Sequence, residues 1–193
     1  MKKFFVVIVI ALIAAITWGI GIINGAVRLD EKANAEWAQV QNQFQRRSDL
    51  IPNLVNTVKG YQLHEQDTLL KVVEARAKAM QTRVDLNDEN SLKEYMAAQN
   101  ELSGALSRLM AVAEAYPELK ANENFLAMQS QLEGTENRIA VARRDYIEAV
   151  RAYNTELRVF PSSFVIRHFT DMKPRATFEA EGKAQTAPVV SFE

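Results

Sequence analysis

The chain has 193 residues and the composition of a helical protein, with only 7 glycines, 5 prolines and no cysteine. The lack of cysteine excludes disulfides, thiolate catalysis and zinc sites with cysteine ligands. All 24 acidic residues but only 21 of the 23 basic ones lie beyond residue 27, and this formal charge of −3 argues against a nucleic-acid partner.

The first predicted element is a membrane-spanning helix. The run from Phe4 to Ile23, which includes Trp18, is apolar except for Thr17. About 20 such residues at 1.5 Å each cross the roughly 30 Å hydrocarbon layer of a bilayer. A cleaved signal peptide is the alternative, but its apolar region would be shorter and would end in a small-x-small site. The sequence therefore predicts a retained anchor over residues 1–27 that crosses the lipid bilayer once.

The charges beside this span indicate its orientation. Lys2 and Lys3 precede it, and Arg28 and Lys32 are the nearest basic residues on the other side. Because cytoplasmic flanks carry the excess of positive charge, we expect the N-terminus in the cytoplasm and the remainder outside. The expected location is the bacterial inner membrane, and the reverse orientation stays open because the asymmetry is small.

Residues 28–160 are predicted to form a bundle of long helices. Apolar residues recur every three or four positions in three stretches, which places them on one face of each helix. The third stretch keeps a 3.5-residue spacing over more than four heptads. The three stripes are Trp37, Val40, Phe44, Arg47, Ile51, Leu54, Val58 and Tyr61; Tyr95, Gln99, Leu102, Leu106, Leu109 and Ala113; and Phe125, Gln129, Leu132, Glu136, Ile139, Arg143, Tyr146, Val150, Tyr153 and Leu157.

Capping residues and prolines indicate where the helices begin and end. Ser91 to Glu94 is typical of a capping box, Pro117 separates two helices, and Pro161 ends the last one. Pro52 either begins a new helix or only kinks one that continues, which would give three bundle helices. The expected bundle helices span about 28–48, 52–83, 91–115 and 118–158. The predicted fold is all-α: an N-terminal transmembrane helix, an elongated antiparallel four-helix bundle, and over residues 161–193 a short helix near Phe164 to Phe169 and an extended tail.

No pattern in the sequence predicts an enzyme active site. His64 and Glu65 begin like the zinc-peptidase motif His-Glu-x-x-His, but Thr68 occupies the second ligand position. Glu133 and Glu136 share a helix face, which favours solvated acids or salt bridges over a catalytic carboxylate pair. We therefore expect no enzymatic activity, no metal site and no cofactor.

Charged residues interrupt the apolar stripes at positions that the heptad spacing assigns to the core. An unpaired buried charge costs several kcal/mol, so these residues should be paired. We predict that Glu136 meets Arg47 or Arg46. Arg143 is expected to meet Asp49 or another acidic residue close to the contact between Glu136 and the first helix. Such a network would fix the register of two helices with repetitive faces, and the alternative is that the side chains extend to water.

Four stretches of the sequence form a recognisable signature. They contain Trp37, Asp49, Pro52 and Asn53 between residues 37 and 61, Pro117 in 116–125, Glu133 and Asn137 in 132–144, and Tyr153-Asn154. This signature resembles that of the LemA family of bacterial membrane proteins and covers nearly the whole chain. The resemblance implies one N-terminal span and a four-helix bundle, but no biochemical activity, because none is established for the family. Ile147 and the tail segment 173–178 depart from the family pattern.

The sequence favours a non-enzymatic membrane scaffold or adaptor. The anchor would fix the orientation, and the bundle would bind membrane or envelope proteins whose identity the sequence does not give. The alternative is a sensor or signalling module in which polar residues make the bundle switchable. A hydrolase with an unrecognised carboxylate site is the third reading. Gly21 and Gly25 have the spacing that brings two spans together, so a homo-oligomer stays open.

Overall fold

The computed structural model describes residues 2–61 and 66–178, and the regular elements in these ranges are helices. His64 and the part of the tail beyond Phe178 lie outside the described residues. The helices are α1 (Lys2–Lys59), α2 (Gln66–Gln81), α3 (Glu89–Ala113), α4 (Pro117–Lys120), α5 (Glu123–Glu156) and α6 (Ser162–Phe169).

Helix α1 contains both the candidate span and the first bundle helix. Its N-terminal part is long and apolar enough to cross a membrane. The large side chains there, including Phe4 and Trp18, are exposed, whereas Ile23 is half-buried. From Ala26 onward the helix has a buried face that joins the bundle core. An apolar surface followed without a break by an amphipathic one fits a helix that leaves a bilayer and enters a bundle.

Of the two readings of Pro52, the continuing helix is correct, because α1 runs through this proline to Lys59, and the helix bounds expected at residues 48 and 52 are wrong. A proline inside a helix cannot donate to the carbonyl four residues earlier, which here belongs to Ser48. Nε of Arg76 in α2 donates to that carbonyl instead, at 2.9 Å. Helix α1 ends at Lys59 and α2 begins at Gln66, so the bundle still has four long helices, α1, α2, α3 and α5.

Two further boundaries differ from the predicted ones. Helix α3 begins at Glu89 with Asp88 as its N-cap, while the Ser91 hydroxyl accepts a hydrogen bond from the amide of Asp85. The helix predicted over 118–158 is divided into α4 and α5. The division arises because the side chain of Asn122 caps a new helix by accepting from the amide of Phe125.

The four long helices form an antiparallel bundle, as predicted. Trp37 of α1 contacts Tyr146 of α5, and farther along α1 Thr57 contacts Met128, so these two helices run in opposite directions. Helices α2 and α3 form a second antiparallel hairpin, joined by residues 82–88. The bundle therefore consists of one long pair, α1 and α5, and one shorter pair.

Two hydrophobic clusters fill the bundle, one on each side of Arg47. The proximal cluster lies toward the candidate span and is centred on Trp37, whose ring packs against Tyr95 and Tyr146 with centroids 5.6 and 5.2 Å away. The distal cluster lies beyond Arg47 and includes Ile51. A buried charge therefore separates two apolar cores.

After α6 the chain is extended over residues 170–178 and lies against the bundle. Nδ2 of Asn154 donates to the carbonyl of Arg175, and Oδ1 of Asn154 accepts from the amide of Arg175, both at 2.9 Å. Nε of Arg175 donates to Oδ1 of Asp30 at 2.6 Å. The extended segment is therefore held by both α5 and α1.

Aromatic residues extend this attachment. The hydroxyl of Tyr146 donates to the carbonyl of Ala176 at 3.0 Å, and the hydroxyl of Tyr153 donates to the carbonyl of Lys173 at 3.1 Å. The ring of Phe178 lies 5.3 Å from that of Tyr146. These contacts add the first part of the tail to the proximal cluster.

Candidate functional site

Arg47 lies at the centre of the bundle and is only 1% exposed. Its Nη1 donates to Oε1 of Glu136 at 2.7 Å and to Oγ of Ser103 at 2.6 Å. Its Nη2 donates to the side-chain and backbone oxygens of Gln99, at 2.6 and 3.2 Å. The guanidinium also lies 5.1 Å from the ring centre of Phe44. Charge-assisted hydrogen bonds of this kind are stronger than neutral ones and offset the cost of burying the cation.

We call Arg47, Gln99, Ser103 and Glu136 the polar node. It joins α1, α3 and α5, and it reaches α2 because Nε2 of Gln99 donates to the carbonyl of Ala79 at 3.3 Å. All four long helices therefore meet at one level, with Arg47 at the centre of the contacts. That such a network fixes the register of the helices stays a prediction.

The structure brings together Arg47 and Glu136, the pair expected from the heptad spacing. It does not place Arg46 or Asp49 in the node. Arg46 is exposed, and the exposed Asp49 accepts a hydrogen bond from Gln45 on its own helix at 2.8 Å.

The structure also does not bring Arg143 to Asp49. Because α5 is antiparallel to α1, moving seven residues beyond Glu136 leads toward the proximal cluster and away from Asp49. The guanidinium of Arg143 instead lies 4.8 Å from the ring centre of Phe178 in the extended segment. The sequence analysis expected Arg47 and Arg143 to find their partners at the same level of the bundle. In the structure Arg143 lies about two helical turns along α5 from Glu136, the partner of Arg47.

Gln99 and Ser103 belong to the node but were not predicted as site residues. Gln99 interrupts the second apolar stripe, as Arg47 interrupts the first, and this signal would have identified it. It is buried, as is the neighbouring Tyr95, whose pKa is raised by burial and lowered to a smaller extent by its hydrogen bond with Gln99 and by Arg47. Ser103 lies beside the stripe, where the spacing gives no signal.

A groove of about 730 Å³ between α3 and α5 opens beside Glu136. Glu136 is 46% exposed, so one side of its carboxylate contacts Arg47 and the other faces this groove. Among the described residues, no group of three or more histidine, cysteine or carboxylate side chains is arranged to hold a metal ion. We call this surface the acidic groove; its lining includes the apolar residues Leu106, Met110 and Leu132 and the carboxylates Glu114, Glu133 and Glu136.

The residues of the family signature include structural positions as well as positions that line the acidic groove. Trp37 is buried in the proximal cluster, and Pro117 is the first residue of α4. Pro52 and Asn53 are exposed on α1. Glu133 and Asn137, by contrast, both line the acidic groove. The signature therefore includes surface positions of the groove as well as structural ones.

Comparison with known proteins agrees with the resemblance to the LemA family. The LemA family model matches residues 36–192, which include the polar node and the acidic groove. A magnetosome protein MamQ of Paramagnetospirillum magneticum is 28% identical over 187 residues, covering 87% of this chain and 68% of the relative. A magnetosome protein MamQ of Magnetospirillum gryphiswaldense is 25% identical and covers 95% and 74%, and protein LemA of Metamycoplasma hominis is 24% identical and covers 93% and 80%. The chain belongs to the LemA family.

Proposed function

We propose that this protein is a non-enzymatic, membrane-anchored scaffold that binds a partner protein through the acidic groove. The acidic groove carries this proposal, because it combines an apolar floor with several carboxylates on the same open surface. A basic amphipathic segment fits such a surface: its apolar residues would cover the floor while lysine or arginine side chains pair with the carboxylates.

The polar node supports this use of the groove. Arg47 fixes the carboxylate of Glu136, and Nε2 of Gln129 donates to Glu133 at 3.0 Å. Groups that are held in place before binding lose less entropy when a partner docks. The groove therefore offers carboxylates that are already oriented.

Helix α1 supports the membrane attachment. Its 58 residues correspond to a length of about 87 Å, and the apolar part passes into the bundle without a loop. A continuous helix of this kind would hold the groove at a fixed distance from the bilayer. With Lys2 and Lys3 on the cytoplasmic side, the bundle would face outward from the inner membrane of a bacterium.

A switchable sensor is the second candidate, and one observation favours it. Nε of Arg47 is buried and has no hydrogen-bond partner among the described residues. A buried cation with an unsatisfied donor, located between two apolar clusters, would gain a hydrogen bond in an alternative packing that gives this donor an acceptor. The sensor would bind a ligand that shifts this packing.

Site-specific crosslinking in living cells tests the scaffold proposal. A photocrosslinking amino acid at Met110 in the groove should capture one defined membrane or envelope protein, and the same amino acid at the exposed Val73 of α2 should not. The pair of changes Glu114→Gln and Glu133→Gln should abolish the crosslinked product that the probe at Met110 forms. The matched control pair, Glu74→Gln and Glu148→Gln, alters the net charge equally on exposed positions outside the groove lining and should leave it intact. Equal amounts of crosslinked product from the probes at Met110 and Val73 would contradict the proposal that the partner binds in the acidic groove.

A further inference from the structure

The segment after α5 exposes large apolar side chains close to the candidate span. Phe160, Phe164 and Phe169 are 84%, 57% and 72% exposed, and Val159 is also exposed. Phe164 is exposed on α6, Phe169 is the last residue of this helix, and Phe160 lies two residues before its first. So many exposed apolar residues within eleven positions are unusual on a water-facing surface, because each loses the free energy that burial would give.

The depth of α6 relative to the span explains this exposure. A Cβ at Gly19 would lie 3.9 Å from Cγ1 of Val165, so α6 packs against α1 at Gly19. Gly19 lies four residues inside the apolar run that ends at Ile23, a distance of about 6 Å along the helix. If that run spans a bilayer, the outward side of α6 lies at the edge of its hydrocarbon layer.

The path of the chain confirms that α6 is a lobe on the span side of the bundle. Val165 is level with Gly19, but Arg175 contacts Asp30, which lies about 16 Å farther along α1. After α5 the chain therefore runs beside α1 toward the N-terminus of that helix, forms α6, and then returns to the bundle. Val165 and Ile166 are buried, so α6 is attached to α1 by its inner side.

The charges of this lobe agree with its position at a membrane surface. Arg158, Arg167 and Lys173 are exposed and form no ion pair with another described residue. Asp171 is the only acidic residue between positions 157 and 178. Long basic side chains at the border of an apolar surface reach the headgroups of anionic lipids.

We propose that α6 is an interfacial helix that forms a second contact with the bilayer around α1. Phe160, Phe164 and Phe169 insert among the acyl chains, and Arg158 and Arg167 bind anionic headgroups. The lipid bilayer is the occupant of this surface because α6 is fixed at the depth of the span. This inference rests on the span in the proposed function. The added contact would restrain the tilt and rotation of the bundle, and with them the direction in which the acidic groove faces.

Depth-dependent quenching of a fluorophore tests this inference, and the lack of native cysteine makes single labelling simple. Three full-length variants, Phe164→Cys, Ile10→Cys and Ser107→Cys, would each be labelled with an environment-sensitive dye in nanodiscs containing phosphatidylglycerol. Ile10 reports on the span, and the exposed Ser107 reports on the distal bundle. Spin-labelled lipid should quench the dyes at Phe164 and Ile10 several-fold more than the dye at Ser107, and aqueous iodide should show the opposite order.

The outcomes separate the two proposals. If the dye at Ile10 is quenched by lipid but the dye at Phe164 behaves like that at Ser107, the span is supported and the interfacial helix is rejected. If the dye at Ile10 is not quenched by lipid either, both proposals are rejected. The pair Arg158→Gln and Arg167→Gln should reduce lipid quenching at Phe164 in nanodiscs with phosphatidylglycerol, and should leave it unchanged in nanodiscs of phosphatidylcholine alone. Loss in both lipids, or in neither, would exclude headgroup binding by these arginines.

Discussion

Arg47 and Glu136 form an ion pair whose two partners have very different surroundings. Their atoms lie 2.7 Å apart, but the side chain of Arg47 is 1% exposed and that of Glu136 is 46% exposed. Water therefore solvates Glu136 while Arg47 depends on the protein for all of its partners. The two residues should contribute unequally to stability, because Arg47 is also the donor to Ser103 and Gln99, whereas an uncharged amide at position 136 could still accept from Arg47.

This asymmetry predicts the result of a double-mutant cycle. Arg47→Met should lower the free energy of unfolding by about 3 kcal/mol, because it removes the hydrogen bonds of the buried guanidinium and leaves the buried side-chain oxygen of Gln99 without its donor. Glu136→Gln should cost about 1 kcal/mol, since the amide oxygen still accepts from Arg47. Chemical denaturation of the full-length protein in detergent gives both values, and their coupling should be about 1 kcal/mol, because Glu136→Gln removes no contact with Arg47 in the Arg47→Met background.

Glu133→Gln is the matched control, because Glu133 lies on the same helix and lines the same groove without contacting Arg47. It should change the free energy of unfolding by less than about 0.5 kcal/mol. If Arg47→Met and Glu136→Gln cost equally little and their effects simply add, the polar node does not stabilise the bundle.

The sequence predicted the all-α fold and the Arg47–Glu136 pair because both depend on helical periodicity. The effect of Pro52 could not be predicted in this way. A proline inside a helix leaves one carbonyl without its usual donor, and here that carbonyl, of Ser48, accepts from Arg76, which lies 28 residues farther along the chain on another helix. The attachment of residues 170–178 was also not predicted, because an extended segment held through its backbone has no periodic pattern.

The Arg76–Ser48 contact should stabilise the bundle only as long as Pro52 is present. Arg76→Met should cost about 1 kcal/mol in the native sequence, because it leaves the buried carbonyl of Ser48 without a donor. In a Pro52→Ala background the alanine amide can donate to that carbonyl, and Arg76→Met should then cost less than about 0.5 kcal/mol. Thermal or chemical unfolding of the four proteins checks this, and an equal cost of Arg76→Met in both backgrounds would refute it.

Asn154 should control whether residues 170–178 stay attached. Asn154→Ala removes two hydrogen bonds to the backbone of Arg175, each contributing about 1 kcal/mol. The amides of Arg175 and Ala176 should then exchange with solvent at least about tenfold faster, as measured by hydrogen–deuterium exchange. Asn53→Ala, a change of the same type at an exposed position of α1, is the control and should leave these amides protected. Unchanged exchange in Asn154→Ala would show that Asp30 and the aromatic contacts suffice.

Tyr146 should make the stability of the bundle fall at high pH. Burial raises its pKa from an ordinary value of 10 to about 12, and Arg175 opposes this rise only in part. The folded state therefore holds the phenolic proton more tightly than the unfolded state does. The resulting stabilisation is complete below pH 10 and is lost as the pH rises through about 12.

Tyr146→Phe removes this contribution and tests it. Between pH 8 and pH 11 the native protein should lose about 1.4 kcal/mol more of its free energy of unfolding than the Tyr146→Phe variant, because one pKa unit corresponds to about that amount. At pH 8 the variant should already be about 1 kcal/mol less stable, since the carbonyl of Ala176 loses its donor. Urea unfolding at both pH values measures the difference. Tyr95 and Tyr153 also have raised pKa values and remain in both proteins, so their contribution cancels in the comparison. Parallel pH dependences of the two proteins would mean that Tyr146 ionises equally easily in the folded and unfolded states.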